Sequence, residues 1–380
     1  MTLDVALVVQ NAVRRDGQGR VMVELAGELL RRGHRVTVYA HRVDEELATR
    51  ADVDLVPVAP GPQIVDDLVM LARATRRIRR RSHDVACVLG HSALPSCPTV
   101  FNAQFSHQGW RASWNSGGRP GWRHRLHAAA ASVLERWCVR RANAVIASTS
   151  VLAEEIAKDV ETFAPIVHVV PNGVDLAEFS PVTPDERLAA RRALGLDRDH
   201  FVVGFLGDYA TPRKGLEPLV AAVGRGSAGE RLVVAARGDD DHLRAVAKAA
   251  GAHERVVVTG FAPPRQVMAA ADVVAAPSLY EPFSLVALEA AACGVPVLVS
   301  RCAGAASLLG DAVMQTEPGD VAGIRAALDA LQADGSLRDE LSRAGREAAA
   351  RFPWSECAAA AADAVEATVK APRIGVGRAA

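Results

Sequence analysis

Residues Tyr280 to Ser300 read YEPFSLVALEAAACGVPVLVS. A Pro-bearing turn gives way to a run of Ala, Leu and Val that stops at Gly294, and after Pro296 a β-branched segment begins. The preceding run DVVAAPS, residues 272–278, is short and apolar and ends in a turn. Ser is a residue type that caps helices, and a Gly followed closely by Pro stops them. The stretch therefore predicts a strand, a turn, a helix from Ser284 to Cys293, and a second strand. Two apolar strands joined by a helix are parallel neighbours, and their continuous apolar character places them in a sheet covered on both faces. One acid, Glu289, sits inside the apolar helix, and a second, Glu281, lies eight positions earlier on the turn. A carboxylate in such surroundings must be hydrogen-bonded or it destabilises the fold.

The same alternation extends in both directions. VALVV, RVTVYA, DVACVLG, PTVFN and AVIAS read as buried parallel strands in the first part of the chain, and FVVGFLG, RLVVAA, RVVVTG, DVVAAPS and VPVLVS in the second. Amphipathic stretches such as GRVMVELAGELLRRG, closed by a glycine, lie between them. The chain has 380 residues, more than one hydrophobic core usually fills. The prediction is an α/β protein of two Rossmann-like domains with parallel sheets facing across a cleft. The boundaries are an N-terminal Rossmann-like domain at 1–170, a turn-rich connector VVPNGVDLAEFSPVTPDE near 171–186, a C-terminal Rossmann-like domain at 187–353, a C-terminal helix at 354–370 and a disordered tail at 371–380.

Formal net charge is zero and 49% of the residues are hydrophobic, which argues against a nucleic-acid binder, since those carry a basic excess. Six scattered cysteines without C-x-x-C spacing fit buried reduced thiols. The N-terminus lacks the basic start of a signal peptide, and no apolar run approaches about 18 residues. A cytoplasmic protein is expected. The basic run RATRRIRRRSHD reads as a solvated helix face, with peripheral contact to an anionic membrane or acceptor as the alternative.

Ligands of open α/β sheets sit beyond the carboxyl ends of the strands. That rule gathers Gly17, Gly19, His91, Asn102, Arg213, Lys214 and the Glu281–Glu289 segment around one volume. The N–H groups of Phe283, Ser284 and Leu285 would open the predicted helix, where the dipole favours an anion. Glu289 lies roughly 7.5 Å further along the helix axis, within reach of ribose hydroxyls beside a bound phosphate. Glu281 could accept from a hydroxylated group on that phosphate. The spacing suits a nucleoside diphosphate carrying a sugar; taken alone, it suits a buried glutamate satisfied by backbone equally well.

E-x7-E on such a strand–turn–helix, followed by AACGVPVLVS, resembles the donor site of retaining GT-B glycosyltransferases of family 4. VVPNGVD resembles that family's inter-domain segment, FLGDYATPRKGLEPLV its phosphate-binding loop, VTGFAPPRQVMAAADVVAAPSLYEPF its nucleotide-base region and GQGRVMVELAGELLRRGHRVTVYA its first loop and helix. The likeness covers nearly the whole chain and is similar to the lipopolysaccharide core glucosyltransferase type. It implies a hexosyltransferase that takes its sugar from a nucleoside diphosphate sugar, with no metal or other cofactor, and passes it to a small-molecule or lipid-linked hydroxyl. Lys214 and Arg213 would neutralise the diphosphate, with Glu281 completing the catalytic set. Glu289 would hold ribose, Glu281 the sugar, and Gly17, Gly19, Gly207, Gly260, Phe261, Phe283, Ser284 and Leu285 would line the donor site. His91, Asn102 and His107 are acceptor- or sugar-side candidates. Two positions depart from the pattern: Asp208 follows Gly207 where many members carry Arg, so that Arg213 stands in for that charge, and Asp16–Gly17 replaces Gly-Gly in the first loop.

DGQGRVM has Met22 at the third glycine of a dinucleotide fingerprint and is a poor match to it. GDDDH at 238–242 resembles a metal-binding D-x-D but is read as the cap of a helix near His242. Trp110, Trp114, Trp122 and Trp137 cluster in a Gly-rich polar region, GWRASWNSGGRPGWRHR, read as an acceptor loop; packing of the rings against the next helix is the alternative. Only four of the 44 basic residues are lysine, a mark of GC-rich coding that turns the acceptor expectation toward a secondary metabolite, glycolipid or cell-wall precursor. The rival readings are a nucleotide-sugar 2-epimerase on the same fold and a non-catalytic nucleotide-sugar-binding subunit.

Overall fold

The computed structural model describes residues 1–58, 61–114, 120–158, 165–208, 212–235 and 238–370. The chain forms two compact units.

The first unit is built on β1 (Asp4–Val8), β2 (Asn11–Ala12), α1 (Gly17–Arg31), β3 (Arg35–Ala40), β4 (Arg42–Val43), α2 (Glu45–Ala48), β5 (Asp52–Leu55), α3 (Gln63–Ile78), β6 (Val85–Leu89), β7 (Thr99–Ala103), α4 (His107–Ser113), α5 (Trp122–Val139), β8 (Ala144–Ala147), α6 (Ser150–Lys158) and β9 (Ile166–Val169). Seven strands form one sheet in the order β5-β3-β1-β6-β7-β8-β9, paired in parallel throughout. The central strands are buried on both faces. Val5 and Leu7 of β1 point into one apolar layer with Leu25 and Leu29 of α1, while Ala6 and Val8 point into the other with Met70 and Ile78 of α3. Gly33, in the left-handed region at φ 82°, follows α1 and lets the chain turn back into β3.

The second unit contains α7 (Pro184–Ala193), β10 (Phe201–Leu206), α8 (Leu216–Gly224), β11 (Glu230–Ala235), α9 (Asp240–Ala249), β12 (Val256–Val258), α10 (Pro264–Ala270), β13 (Val273–Ala276), α11 (Leu285–Ala292), β14 (Val297–Ser300), α12 (Gly304–Leu309), β15 (Met314–Thr316), α13 (Val321–Ala333) and α14 (Gly335–Ala349). Its six strands pair in parallel in the order β12-β11-β10-β13-β14-β15. Helix α15 (Trp354–Lys370) then belongs to the first unit, where Ala361, Ala362 and Val365 join the layer beside α1.

The final helix is therefore an integral cover of the first sheet rather than a separate element. Helix α7 opens at Pro184, inside the segment expected to be a connector, behind a capping box of Thr183 and Glu186. The expected tail at 371–380 lies outside the described residues. Cys87, Cys138, Cys293 and Cys357 are buried free thiols that burial pushes up to about 12. Among the described residues no helix is long and apolar enough to cross a membrane.

Candidate active site

Both acids of the opening stretch lie at the carboxyl edge of the second sheet. Glu281 follows β13 on a turn tied to the chain after β14: its carbonyl accepts from the Gly304 N–H at 3.0 Å, and the Phe283 carbonyl accepts from the Ala305 N–H at 2.6 Å. The Glu281 side chain is nearly buried and faces two cations. Lys214 Nζ donates to Glu281 Oε2, Arg213 Nη1 reaches the same oxygen at 3.4 Å, and Ser278 Oγ donates to it at 3.3 Å. Arg213 also donates to the Tyr280 carbonyl at 3.2 Å, and its own carbonyl accepts from the Leu279 N–H at 2.7 Å.

Gly215 makes this meeting possible. Its φ of 70° lies in the left-handed region, and a Cβ there would sit 2.0 Å from the Pro277 carbonyl oxygen. Only glycine lets the Arg213–Lys214 turn press onto the end of β13. Burial would raise the Glu281 carboxyl, but Lys214 and Arg213 outweigh it and hold the group below its ordinary value. Burial pushes the Lys214 ammonium down, with Glu281 opposing and Arg213 adding like-charge repulsion. Two cations face the Glu281 carboxylate, Asp208 adds a weaker attraction on Lys214, and α11 adds the positive end of its dipole.

Ser284 does occupy the position before α11, but not as an ordinary cap. It is the one non-glycine residue with positive φ among the described residues, at 87°, and its side chain makes no capping bond. Strain of this kind persists only where surrounding structure enforces it; here the backbone bonds from Gly304 and Ala305 flank the turn on either side. Glu289 is half-buried on α11 rather than enclosed. Gly207 closes β10 and packs over the Lys214 stem, with a notional Cβ 3.6 Å from Lys214 Cε. Gly260 and Phe261 follow the edge strand β12, and the Phe261 ring is 61% exposed. Asp239 accepts from the N–H groups of Asp241 and His242 as the cap of α9, which begins at Asp240, two residues before the expected start.

In the first unit the candidates also follow strand ends. His91 comes after β6 and His107 opens α4. Their rings stand 5.4 Å apart, and a third ring, His127 of α5, lies 5.7 Å from His107. Two acids hold the set. Asp67 of α3 pairs with His127 Nε2 at 2.9 Å and His91 Nε2 at 3.3 Å, and Glu135 of α5 meets His107 Nδ1 at 2.9 Å and its backbone N–H at 3.2 Å. Burial would raise the Asp67 carboxyl, but its bonds to His127 and His91 win and hold it well below the usual carboxylate range.

Two expectations change here. Asn102 is fully buried: its amide donates to Met22 Sδ at 3.7 Å and accepts from Gln104 Nε2 at 2.9 Å, so it braces the interior instead of facing a ligand. In the first loop, Asp16 caps α1 by accepting from the N–H groups of Gln18 and Gly19, and Gly17 is the first residue of the helix. Gly19 is required by the protein's own backbone, because a Cβ there would lie 2.4 Å from the Asn11 carbonyl oxygen. In the tryptophan-rich region Trp110 is buried in α4 and Trp122 opens α5; the glycine-rich residues 115–119 of the expected acceptor loop lie outside the described residues.

Sequence reasoning overlooked Ser278, Asp67, Glu135 and His127. Glu135 had the signal that singled out Glu289, an isolated acid in an Ala-rich helix, AAAASVLERWCV.

Two doubly covered parallel sheets with polar side chains gathered at their carboxyl edges define an α/β protein of the GT-B glycosyltransferase type. Solved structures agree on the fold. WaaG, a glycosyltransferase involved in lipopolysaccharide biosynthesis, superposes with a TM-score of 0.80 at 20% identity over 95% of this chain and 99% of its own. Anabaena HepE in complex with UDP-glucose gives 0.75 at 20% identity over 96% of this chain and 100% of its own. Residues 15–178 match the family described as Glycosyltransferase Family 4, and residues 200–334 the family described as Glycosyl transferases group 1; the chain belongs to the family 4, group 1 glycosyltransferases. The D-inositol 3-phosphate glycosyltransferase of Xylanimonas cellulosilytica is 36% identical over 252 residues, 63% of this chain and 60% of the relative. The 2-deoxystreptamine N-acetyl-D-glucosaminyltransferase of Streptomyces fradiae is 34% identical over 268 residues, 67% of this chain and 60% of the relative. The chain thus spans 60% of the length of these two curated relatives.

Proposed function

We propose that this protein transfers a sugar from a nucleoside diphosphate sugar to a hydroxyl of a polar acceptor, with retention of anomeric configuration, without a metal and in the cytoplasm. The observation that carries the reading is the Arg213–Lys214–Glu281 cluster beside the start of α11. Its two adjacent cations and the free N–H groups of a helix start suit a diphosphate. Both become more valuable as negative charge grows on the departing group, which is how electrostatic catalysis of glycosyl transfer works. Lys214 and Arg213 stabilise the leaving diphosphate, Glu281 orients Lys214 and accepts from a sugar hydroxyl, and Glu289 accepts from ribose. His91 and His107 serve the acceptor side, each fixed by a carboxylate.

The matched relatives are named for D-inositol 3-phosphate and 2-deoxystreptamine, both polyhydroxylated six-membered rings, and this supports a small polyol or a conjugate of one as acceptor, within the class of secondary metabolites, glycolipids and cell-wall precursors. The test incubates the purified protein with a panel of nucleotide sugars, with and without D-inositol 3-phosphate and 2-deoxystreptamine, and follows the sugar by NMR. Release of nucleoside diphosphate with an α-linked product from an α-linked donor supports the reading. Epimerisation of the donor with no acceptor, or tight donor binding without turnover, overturns it.

A further inference from the structure

Helix α5 turns polar groups inward: His127 and Glu135 are both buried on it, with the small residues Ala128, Ala131 and Ser132 buried between them. Two buried acids settle where the protons of the neighbouring rings lie. Asp67 is 5% exposed; its Oδ1 accepts from Gln10 Nε2 at 2.6 Å, and its Oδ2 faces His127 Nε2 at 2.9 Å and His91 Nε2 at 3.3 Å. Burial works against its charge, yet the two rings keep it ionised. An ionised carboxylate can only accept, so both of those Nε2 atoms carry a proton. Glu135 is 2% exposed; it takes the His107 backbone N–H on both oxygens, at 3.2 and 3.3 Å, and meets ring Nδ1 at 2.9 Å. Held as the acceptor by the backbone, it accepts from the ring as well. A neutral imidazole has one donor and one acceptor nitrogen. His107 therefore keeps its proton on Nδ1 and its lone pair on Nε2, the reverse of His91 and His127.

The reversal separates the two candidate rings. His91 Nδ1 is buried and has no hydrogen-bond partner among the described residues, so its lone pair is closed off. The His107 side chain keeps 14% of its exposure, and its Nε2 has no hydrogen-bond partner among the described residues. The ring is met edge-on by His91, His127 and Phe105, with centroids 5.4, 5.7 and 5.0 Å away. These contacts and the Glu135 bond fix its plane. His107 also stands just after β7, on the edge of the sheet where ligands of parallel sheets sit. For a hydroxyl nucleophile the tautomer decides the outcome. If Nε2 accepts the hydroxyl proton in a hydrogen bond, the oxygen lone pairs remain free to face the anomeric carbon. With the proton on Nε2 instead, the ring would donate into the oxygen and occupy a lone pair that the new bond needs.

We propose that Glu135 is a positioning residue for glycosyl transfer: it fixes the Nδ1–H form of His107, and His107 Nε2 then orients the acceptor hydroxyl. The role of Nε2 rests on the acceptor-side reading above; the tautomer does not. The test is nitrogen-15 NMR of the full chain labelled at histidine, at pH about 8, above the ordinary imidazole range. The His107 signals are identified by their loss in His107→Phe. The wild type should show Nδ1 protonated and Nε2 bare. Glu135→Gln keeps the volume, and its amide can donate to Nδ1, so the proton should move to Nε2. In that variant kcat for transfer to whichever of D-inositol 3-phosphate and 2-deoxystreptamine the protein accepts should fall about 100-fold, with the donor KM unchanged. The same substitution in a His107→Phe background should have no further effect, because Glu135 acts through His107. Circular dichroism verifies that each variant is folded. A wild-type His107 protonated on Nε2 overturns the proposal. So does a Glu135→Gln variant that switches the tautomer at full activity, or a loss that adds to that of His107→Phe, which would make Glu135 a structural acid. A wild type that shows the expected tautomer but transfers to no acceptor overturns the function reading, and the role of Nε2 with it.

Discussion

Replacing Glu281 by Gln keeps the side-chain volume and one acceptor oxygen but removes the charge that Lys214 and Arg213 face. Breaking a fully buried ion pair from one side costs about 3–5 kcal/mol. Here the Lys214 side chain keeps 20% of its exposure and Arg213 22%, so the charged hydrogen-bond range of about 1.5–3 kcal/mol applies. For a domain of this size that is roughly 3–12 °C in Tm. Ligand binding should move the other way. A phosphate charge about 6 Å from the missing carboxylate gains between about 0.7 and 2.8 kcal/mol, depending on the effective dielectric, or roughly 3- to 100-fold in affinity for the nucleoside diphosphate of whichever donor the panel selects. Calorimetric melting with and without that nucleoside diphosphate should therefore show Glu281→Gln melting lower alone yet gaining more from it than the wild type. The acid limb adds a second check. Because the folded carboxyl is held below its ordinary 4.5, its stabilisation is present above that pH and disappears as pH falls through the folded value. The gap between wild type and Glu281→Gln should then close in acid. Equal melting temperatures at pH 7, or an unchanged response to the nucleoside diphosphate, would refute the assignment of Glu281 as the counter-charge of the cationic pair.

Three further outcomes are expected. Lys214→Ala should lower kcat by at least about tenfold, about 1.4 kcal/mol of barrier, whereas a raised KM alone in steady-state assays would mean uniform binding. Glu289→Ala should weaken binding of the donor's nucleoside diphosphate roughly 10- to 150-fold in titration calorimetry, the worth of a charge-assisted bond of about 1.5–3 kcal/mol; normal affinity in an unstable variant would make Glu289 a structural acid. Transfer assayed in excess EDTA should proceed at the untreated rate, and a loss restored by manganese would reopen the 238–242 segment as a metal site.

The central strands were legible because burial on both faces writes itself as unbroken apolar residues: RVTVYA and FVVGFL appear in the structure as β3 and β10. Of the four edge strands of the two large sheets, β12 was read from RVVVTG, but β5, β9 and β15, with sequences DVDL, IVHV and MQT, were not. An edge strand buries less and is held by pairing with one neighbour, and pairing leaves no local pattern. Helix α15 was legible as a helix, but its place in the first unit depends on packing against α1, which amphipathicity alone does not encode. Ser284 fails differently. Its residue type says cap, yet the turn is held by backbone bonds from Gly304 and Ala305, some twenty positions downstream, and these set its left-handed conformation.

The same division runs through the site. Glu281, Lys214 and Arg213 each stood out, but as separate ligands for sugar and diphosphate. Their partnership with one another spans 67 and 68 positions and rests on Gly215 meeting a carbonyl at the end of β13. That contact is written in the sequence only as an ordinary Lys-Gly turn. The consequence is chemical: the two cations share a carboxylate, and on the proposed function the diphosphate would have to compete with it. Glu281 would then temper affinity for the nucleotide as well as positioning the ammonium. A buried acid that weakens ground-state binding is consistent with a site whose preference lies with the more highly charged leaving group.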